Sequence, residues 1–201
     1  LCLTSAQKEL VQNCADSLRA NKRANELLFQ EGEDFGDKVY NELPIYWEEE
    51  IIVDDETVVL PCKGLLDRVK ESVSNKHVHL IDLKTTSKPV AKFNSSFEYW
   101  RYYRQMAWYL RALSAWLIKK YGEEEARTWK VSVTMVVVES YGLHQTMVYD
   151  VDSAWTDRGS AEAQDLVGRI AYATVKDNWE QSIEEIQGNG VIRLKPEEDV
   201  G

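Results

Sequence analysis

Apolar residues recur at helical spacing at both ends of this chain and alternate with polar ones through its middle. Residues 5–29 carry Leu10, Val11, Cys14, Leu18, Leu27 and Leu28 at helical intervals, with Ser5 placed to cap the helix. Residues 31–38 are acidic and contain glycine, and read as a solvated connection. Residues 39–53 predict a strand, Asp54-Asp55-Glu56 a turn, and residues 57–71 a second strand. Ser74-Asn75-Lys76 turns the chain into a third strand that ends at Thr86, completing an antiparallel meander. A loop with Pro89 follows, then one long aromatic-rich helix over residues 96–121 that stops before Gly122. Residues 123–127 are a short acidic helical stretch, and residues 129–139 and 143–151 are two further strands joined around Tyr141-Gly142. Residues 153–187 read as a last helix or a broken pair, with Leu166, Ile170, Ala173, Val175, Trp179 and Ile183 as apolar positions. The order helix, three strands, helix, two strands, helix predicts an α/β (α+β) fold with a central mixed five-stranded sheet flanked by helices.

The third strand concentrates the chemistry. In Val78-His79-Leu80-Ile81-Asp82-Leu83-Lys84-Thr85-Thr86, strand alternation puts Val78, Leu80, Asp82 and Lys84 on one face. An acid and a lysine thus lie side by side at the tip of an apolar run, where burial without a partner is costly. One reading is a salt-bridged strand end. The other is half of a metal-dependent site that cleaves phosphodiesters. Asp67, in Gly64-Leu65-Leu66-Asp67-Arg68, falls at a similar height on the preceding strand if the two form a hairpin near Asn75. Two adjacent carboxylates repel unless a cation lies between them, and Mg²⁺ takes oxygen ligands of this kind. On the long helix Gln105 and Tyr109 are four residues apart, with Arg101 four before Gln105, so that all three share a face able to donate to a phosphate. The stripe of Tyr99, Tyr103, Met106, Leu110, Leu113 and Leu117 reads as core.

Composition narrows the class without choosing between those readings. The 201 residues are 44% hydrophobic and 29% charged, as in ordinary globular domains, and suit one domain over residues 1–201 with a core at about 39–151. No apolar run reaches membrane-span length and none reads as a signal peptide, so the expectation is a cytoplasmic protein without membrane contact. Cys2, Cys14 and Cys62 lack metal-site spacing and read as reduced thiols. A net charge of −10 disfavours a simple basic nucleic-acid binder but is compatible with carboxylates that hold divalent cations. His77, His79 and His144 read as packing or surface residues, and Lys88 and Lys92 as a solvated pair. Thr85 and Thr86 either donate to a phosphate or close the strand by local hydrogen bonds.

Taken together, Asp67, Asp82-x-Lys84 and Gln105-xxx-Tyr109 resemble the PD-(D/E)XK nucleases, in particular the RecB-like group. Glu42-Leu43-Pro44-Ile45-Tyr46-Trp47, Cys62-Lys63-Gly64-x-x-Asp67, Ile81-Asp82-Leu83-Lys84-Thr85-Thr86 and Arg101-Tyr102-x-x-Gln105-x-Ala107-x-Tyr109 are similar to its RecE-like (exodeoxyribonuclease VIII) branch, mostly from phage and prophage. The resemblance spans residues 40–110 and implies a restriction-endonuclease-like core. It implies that Asp67 and Asp82 bind Mg²⁺ or Mn²⁺, two ions per site, with the Leu83 backbone carbonyl and with Glu42 as the upstream acid. Glu48, Glu49 and Glu50 compete with Glu42 for that last role. It further implies that Lys84 positions the attacking water and that Gln105, Tyr109, Arg101 and Thr85 contact the substrate. The implied activity is 5′-to-3′ degradation of linear double-stranded DNA, leaving single strands for recombination. The implied partners are DNA with free ends, a single-strand annealing protein and, through ring formation, further copies of the chain. An endonuclease on the same fold, or a nuclease-like module that binds DNA or protein without cutting, are the alternatives.

Overall fold

The structure, a computed structural model, describes residues 3–30 and 38–180. Residues 31–37, and Ile183 with the rest of the expected C-terminal stretch, lie outside them. Five strands form one sheet in sequence order: β1 (Lys38–Val53), β2 (Glu56–Ser72), β3 (His77–Thr86), β4 (Lys130–Glu139) and β5 (Thr146–Asp150). β3 and β4 run parallel and the other neighbours antiparallel, so the expected meander and the mixed sheet are both present. Asp54 and Asp55 both take positive φ, 49° and 66°, which gives the two-residue hairpin turn whose twist matches the strands. The parallel pair requires a long crossover. It is made by α3 (Phe93–Tyr99), α4 (Tyr102–Tyr121) and α5 (Glu123–Ala126).

The centre of the sheet is buried on both faces. On one, Leu66, Val69, Val78, Leu80, Met135 and Val137 pack against Met106, Leu113 and Leu117 of α4. On the other, Ile81, Val136 and Val138 pack against Leu18 of α1 (Ser5–Ala20) and Ala24 and Leu27 of α2 (Lys22–Leu28). Complete burial of such side chains is worth roughly 1.5–3 kcal/mol each, so these two layers hold β3 from both sides.

Four local expectations change. The first helix is broken at Asn21, whose backbone N–H caps α1 through Ser17 O while its side chain caps α2 by accepting from Ala24 N. The cap of α1 is Thr4 rather than Ser5, because Thr4 and Gln7 form a reciprocal capping box. Leu10 and Val11 stay exposed, since only the end of α1 reaches the sheet.

The long aromatic helix is broken as well. Arg101 has φ 54° and separates α3 from α4. An unbroken helix with Phe93 and Phe97 facing inward would next turn Trp100 or Arg101 into the core. The left-handed residue releases them, and Tyr99 with them, so Tyr99 is exposed rather than core.

The third change concerns α6 (Ser153–Lys176), which buries Gly159, Ala163, Val167 and Ala171. Leu166 and Ile170 face out. Small residues are required because α6 lies against the backbone of α4: a Cβ on Gly159 would stand 2.3 Å from the Tyr103 carbonyl oxygen. Finally, β5 begins at Thr146, and Leu143 is exposed in the turn before it.

Candidate active site

β2 and β3 pair from Ser72↔His77 to Arg68↔Ile81 and then part. The next two residues in that register are Asp67 and Asp82. β3 continues to Thr86 paired only with β4, while β2 continues with β1 as a two-stranded ribbon. The acids therefore stand at the crotch of a fork. In place of a ladder bond, Asp67 Oδ2 accepts from Leu83 N at 2.9 Å.

The fork coincides with a twist in the ribbon. Asn41↔Arg68 and Leu43↔Leu66 are paired, but Glu42 and Asp67 between them are not. Glu42 has φ 50°. On β1, Tyr40 and Leu43 pack on the same core although they are an odd number of residues apart, and on β2 Leu66 and Val69 do the same. Both strands thus switch faces at this height. Positive φ at a non-glycine residue is strained, and such strain collects at functional sites.

Asp82 is completely buried. Lys84 Nζ stands 2.7 Å from its Oδ2, and no other group bonds either carboxylate oxygen among the described residues. The contact is at charge-assisted hydrogen-bond distance for Oδ2, and Oδ1 is left without a partner. Burial pushes the Asp82 carboxyl above its ordinary range; Lys84 opposes this and Asp67 adds to it. Lys84 is itself mostly covered and lies 5.5 Å over the ring of Tyr102. From α4, Gln105 Nε2 donates to Tyr109 Oη at 2.8 Å. Burial raises the Tyr109 hydroxyl's pKa and the Gln105 bond lowers it; the charges of Asp82, Lys84 and Asp67 act on it too. Asp67, Asp82, Lys84, Gln105 and Tyr109 therefore form one constellation.

Glu42 is exposed and lines, with Asp67, Arg68, Ile81, Leu83 and Phe29, a cleft of about 350 Å³ beside the fork. Glu49 is engaged by Trp47 Nε1 and Arg111, and Glu48 and Glu50 lie farther along the ribbon, opposite Pro61 and Val59. Among the described residues no three acidic, histidine or cysteine side chains converge as a ready-made metal cage. What favours a cation is the buried Asp82 carboxylate, its Oδ1 without a hydrogen-bond partner, next to a second carboxylate.

Two expected contacts lie elsewhere. Arg101 does not share the face of Gln105 and Tyr109, because the helix break turns it toward α6, where Nη1 meets Glu162 Oε2 at 3.1 Å. Thr85 is exposed and alternates to the face opposite Lys84, while Thr86 closes the strand, its Oγ1 accepting from Lys88 N and its carbonyl from Ser140 N. The histidines bond to the sheet or its turn: His77 to Ser132, His79 to Thr134 and His144 to the Glu139 carbonyl. Burial pulls the pKa of His79 down to about 4.

The sequence reading missed the support beneath the cleft. Arg68 Nε donates to Leu27 O at 2.9 Å, and Lys70 Nζ to Glu26 O at 2.7 Å and Gln30 O at 3.0 Å. These cations bind the carbonyls at the end of α2, where a helix carries partial negative charge. The only sequence signal was their alternation with Val69 on a strand facing a helix.

No curated protein matches the chain. Among solved structures, a crystal structure from Eubacterium rectale, provisionally described as an exonuclease, superposes with a TM-score of 0.51 at 11% identity, covering 96% of this chain. This chain spans 64% of that protein's length, and the likeness is one of fold. A family model for the PD-(D/E)XK nuclease superfamily matches residues 3–197. With a match over nearly the whole sequence, on a mixed five-stranded sheet flanked by helices, the chain belongs to the PD-(D/E)XK nuclease superfamily.

Proposed function

We propose that this protein is a divalent-metal-dependent deoxyribonuclease that degrades linear double-stranded DNA from its ends. The observation that carries the reading is Asp82: fully buried, next to Asp67 and Lys84, with Oδ1 lacking a hydrogen-bond partner among the described residues. Asp67 and Asp82, the Leu83 carbonyl and Glu42 from across the cleft would hold Mg²⁺ or Mn²⁺, two ions per site. When bound, such ions lower the pKa of water and offset charge on a phosphate.

This chain's own residues supply the rest. Lys84 Nζ, beside Asp82, would orient the attacking water and meet the negative charge developing on the phosphate. Tyr102 keeps the lysine stem in place through its ring. Tyr109 Oη, which accepts from Gln105, would donate to a phosphate oxygen. Thr85 would touch the backbone of the strand on the other side of β3. Arg101 is assigned to the substrate strand at the helix break rather than to the scissile phosphate.

The motifs similar to the RecE-like branch favour 5′-to-3′ polarity and a recombination role, with products passed to an annealing protein in a bacterial or phage-infected cytoplasm. Ring closure with further copies and the single-domain organisation belong to the same reading. The test is incubation with Mg²⁺ or Mn²⁺ and either linear or closed circular DNA. Loss of linear DNA alone is the expected result. Nicking of circles makes the protein an endonuclease, and no cleavage of either by folded protein leaves a binding module.

A further inference from the structure

The helix break at Arg101 leaves two large aromatic rings in solvent a short distance from the site. Tyr99 and Trp100 are 74% and 63% exposed. Their rings meet edge to face, with centroids 4.8 Å apart and planes at 87°. That geometry braces the rings against each other while leaving ring faces open. Trp100 is two residues from Tyr102, whose ring carries Lys84, so their Cα atoms are no more than about 7.6 Å apart.

Arginines continue from the aromatic pair onto α6. Glu162 Oε2 receives Arg104 Nη2 at 2.6 Å and Arg101 Nη1 at 3.1 Å, and Arg158 Nε reaches Oε1 at 3.2 Å. Of these guanidiniums, one is also reached by Glu98, from Arg158 Nη1 at 3.5 Å. Three cations thus face two carboxylates, leaving local positive charge on a chain of net charge −10. A groove of about 490 Å³ runs along Arg101, Arg104, Glu162, Asp165, Leu166 and Arg169.

We propose that Tyr99 and Trp100 form a stacking platform for unpaired bases of a DNA strand, and that the Arg101–Arg104 groove holds its backbone. Aromatic faces beside a positive groove are what sequence-tolerant single-strand binding requires. The occupant is a single strand because stacking on Trp100 needs a base outside the duplex. This rests on the nuclease reading and adds to it: an end must open for several nucleotides beside the cut.

The test measures binding without cleavage. A fluorescein-labelled oligothymidylate is titrated with protein in EDTA and followed by anisotropy, beside an abasic strand of the same length. The wild type binds the oligothymidylate, and Trp100→Ala weakens binding about tenfold. Trp100→Phe keeps most of the affinity, and Tyr46→Ala, at an exposed aromatic on β1, keeps all of it. The abasic strand binds the wild type no better than oligothymidylate binds Trp100→Ala. No binding by the wild type, equal binding by Trp100→Ala, or equal binding of the abasic strand overturns the proposal. Cleavage of linear DNA in Mg²⁺ is scored in parallel. Trp100-dependent binding without cleavage fails only the nuclease reading, and cleavage with Trp100-independent binding fails only the platform.

Discussion

The Asp67 carboxylate occupies the place that a strand carbonyl takes in a regular ladder: its Oδ2 accepts the hydrogen bond of Leu83 N at 2.9 Å. One side chain thus holds the fork at the width of a strand pair and presents negative charge beside Asp82.

These two roles separate by substitution. Asp67→Asn keeps an oxygen to accept from Leu83 N but removes the charge; it should fold with little change in Tm and lose Mg²⁺ affinity and cleavage. Asp67→Ala loses both and should cost about 1 kcal/mol more in stability. Denaturant melts with Mn²⁺ titration calorimetry distinguish them. Equal metal affinity in Asp67→Asn and the wild type removes Asp67 from the metal site.

Lys84 has a different signature. Its ammonium stands 2.7 Å from the Oδ2 of Asp82, a fully buried carboxylate. Lys84→Ala should abolish cleavage while Mn²⁺ binding persists. Removing a charge that faces the cation should if anything strengthen that binding. Retained cleavage in this variant would exclude the lysine from the chemistry.

Asp82 makes the metal-free protein sensitive to pH. Its folded pKa is raised, chiefly by burial. Below the ordinary carboxylate value it is protonated in both folded and unfolded chains. As pH rises through the interval up to the folded value, the unfolded chain gives up its proton first, so this group's contribution to stability is lost. In EDTA, the Tm of wild type should fall relative to that of Asp82→Asn as the pH rises above the ordinary carboxylate value of about 4. Saturating Mg²⁺ should close that gap. A pH-independent difference between the two proteins refutes the account.

Why the Asp67, Asp82 and Lys84 cluster was legible and its surroundings were not follows from range. Strand alternation depends on neighbours two residues apart, so Asp82 and Lys84 could be placed on one face, and a hairpin at Asn75 brought Asp67 to the same height. The order of elements was legible for the same reason. The break at Arg101 was not, because it answers to the whole crossover: Phe97 and Tyr103 both enter the core while Trp100 leaves it. Nor was Glu42's left-handed backbone, which arises where two strands switch faces together. Which face of α6 is buried was not legible for a related reason. Leu166 and Ile170 are the larger apolar residues, but what decides the buried face is how closely the helices approach, and that favours Gly159 and Ala163.

That close approach has a measurable cost of disruption. Gly159 lies where a Cβ would come within 2.3 Å of the Tyr103 carbonyl oxygen, 2.8 Å of its carbon and 3.0 Å of the Ala107 Cβ. The first two are backbone atoms and cannot rotate aside. Gly159→Ala must therefore push α6 away from α4, at about 1–3 kcal/mol, outweighing the better helix propensity of alanine of about 1 kcal/mol. The displacement also bears on function, because Tyr103 Oη and Arg104 are both bonded to Glu162 on α6. Gly159→Ala should lower Tm and weaken binding of an oligothymidylate to the Arg101–Arg104 groove. Gly168→Ala is the control, since a Cβ there meets nothing within 4 Å; it should hold or raise Tm. Equal melting of the two variants would show that α6 does not rest on the α4 backbone at Tyr103.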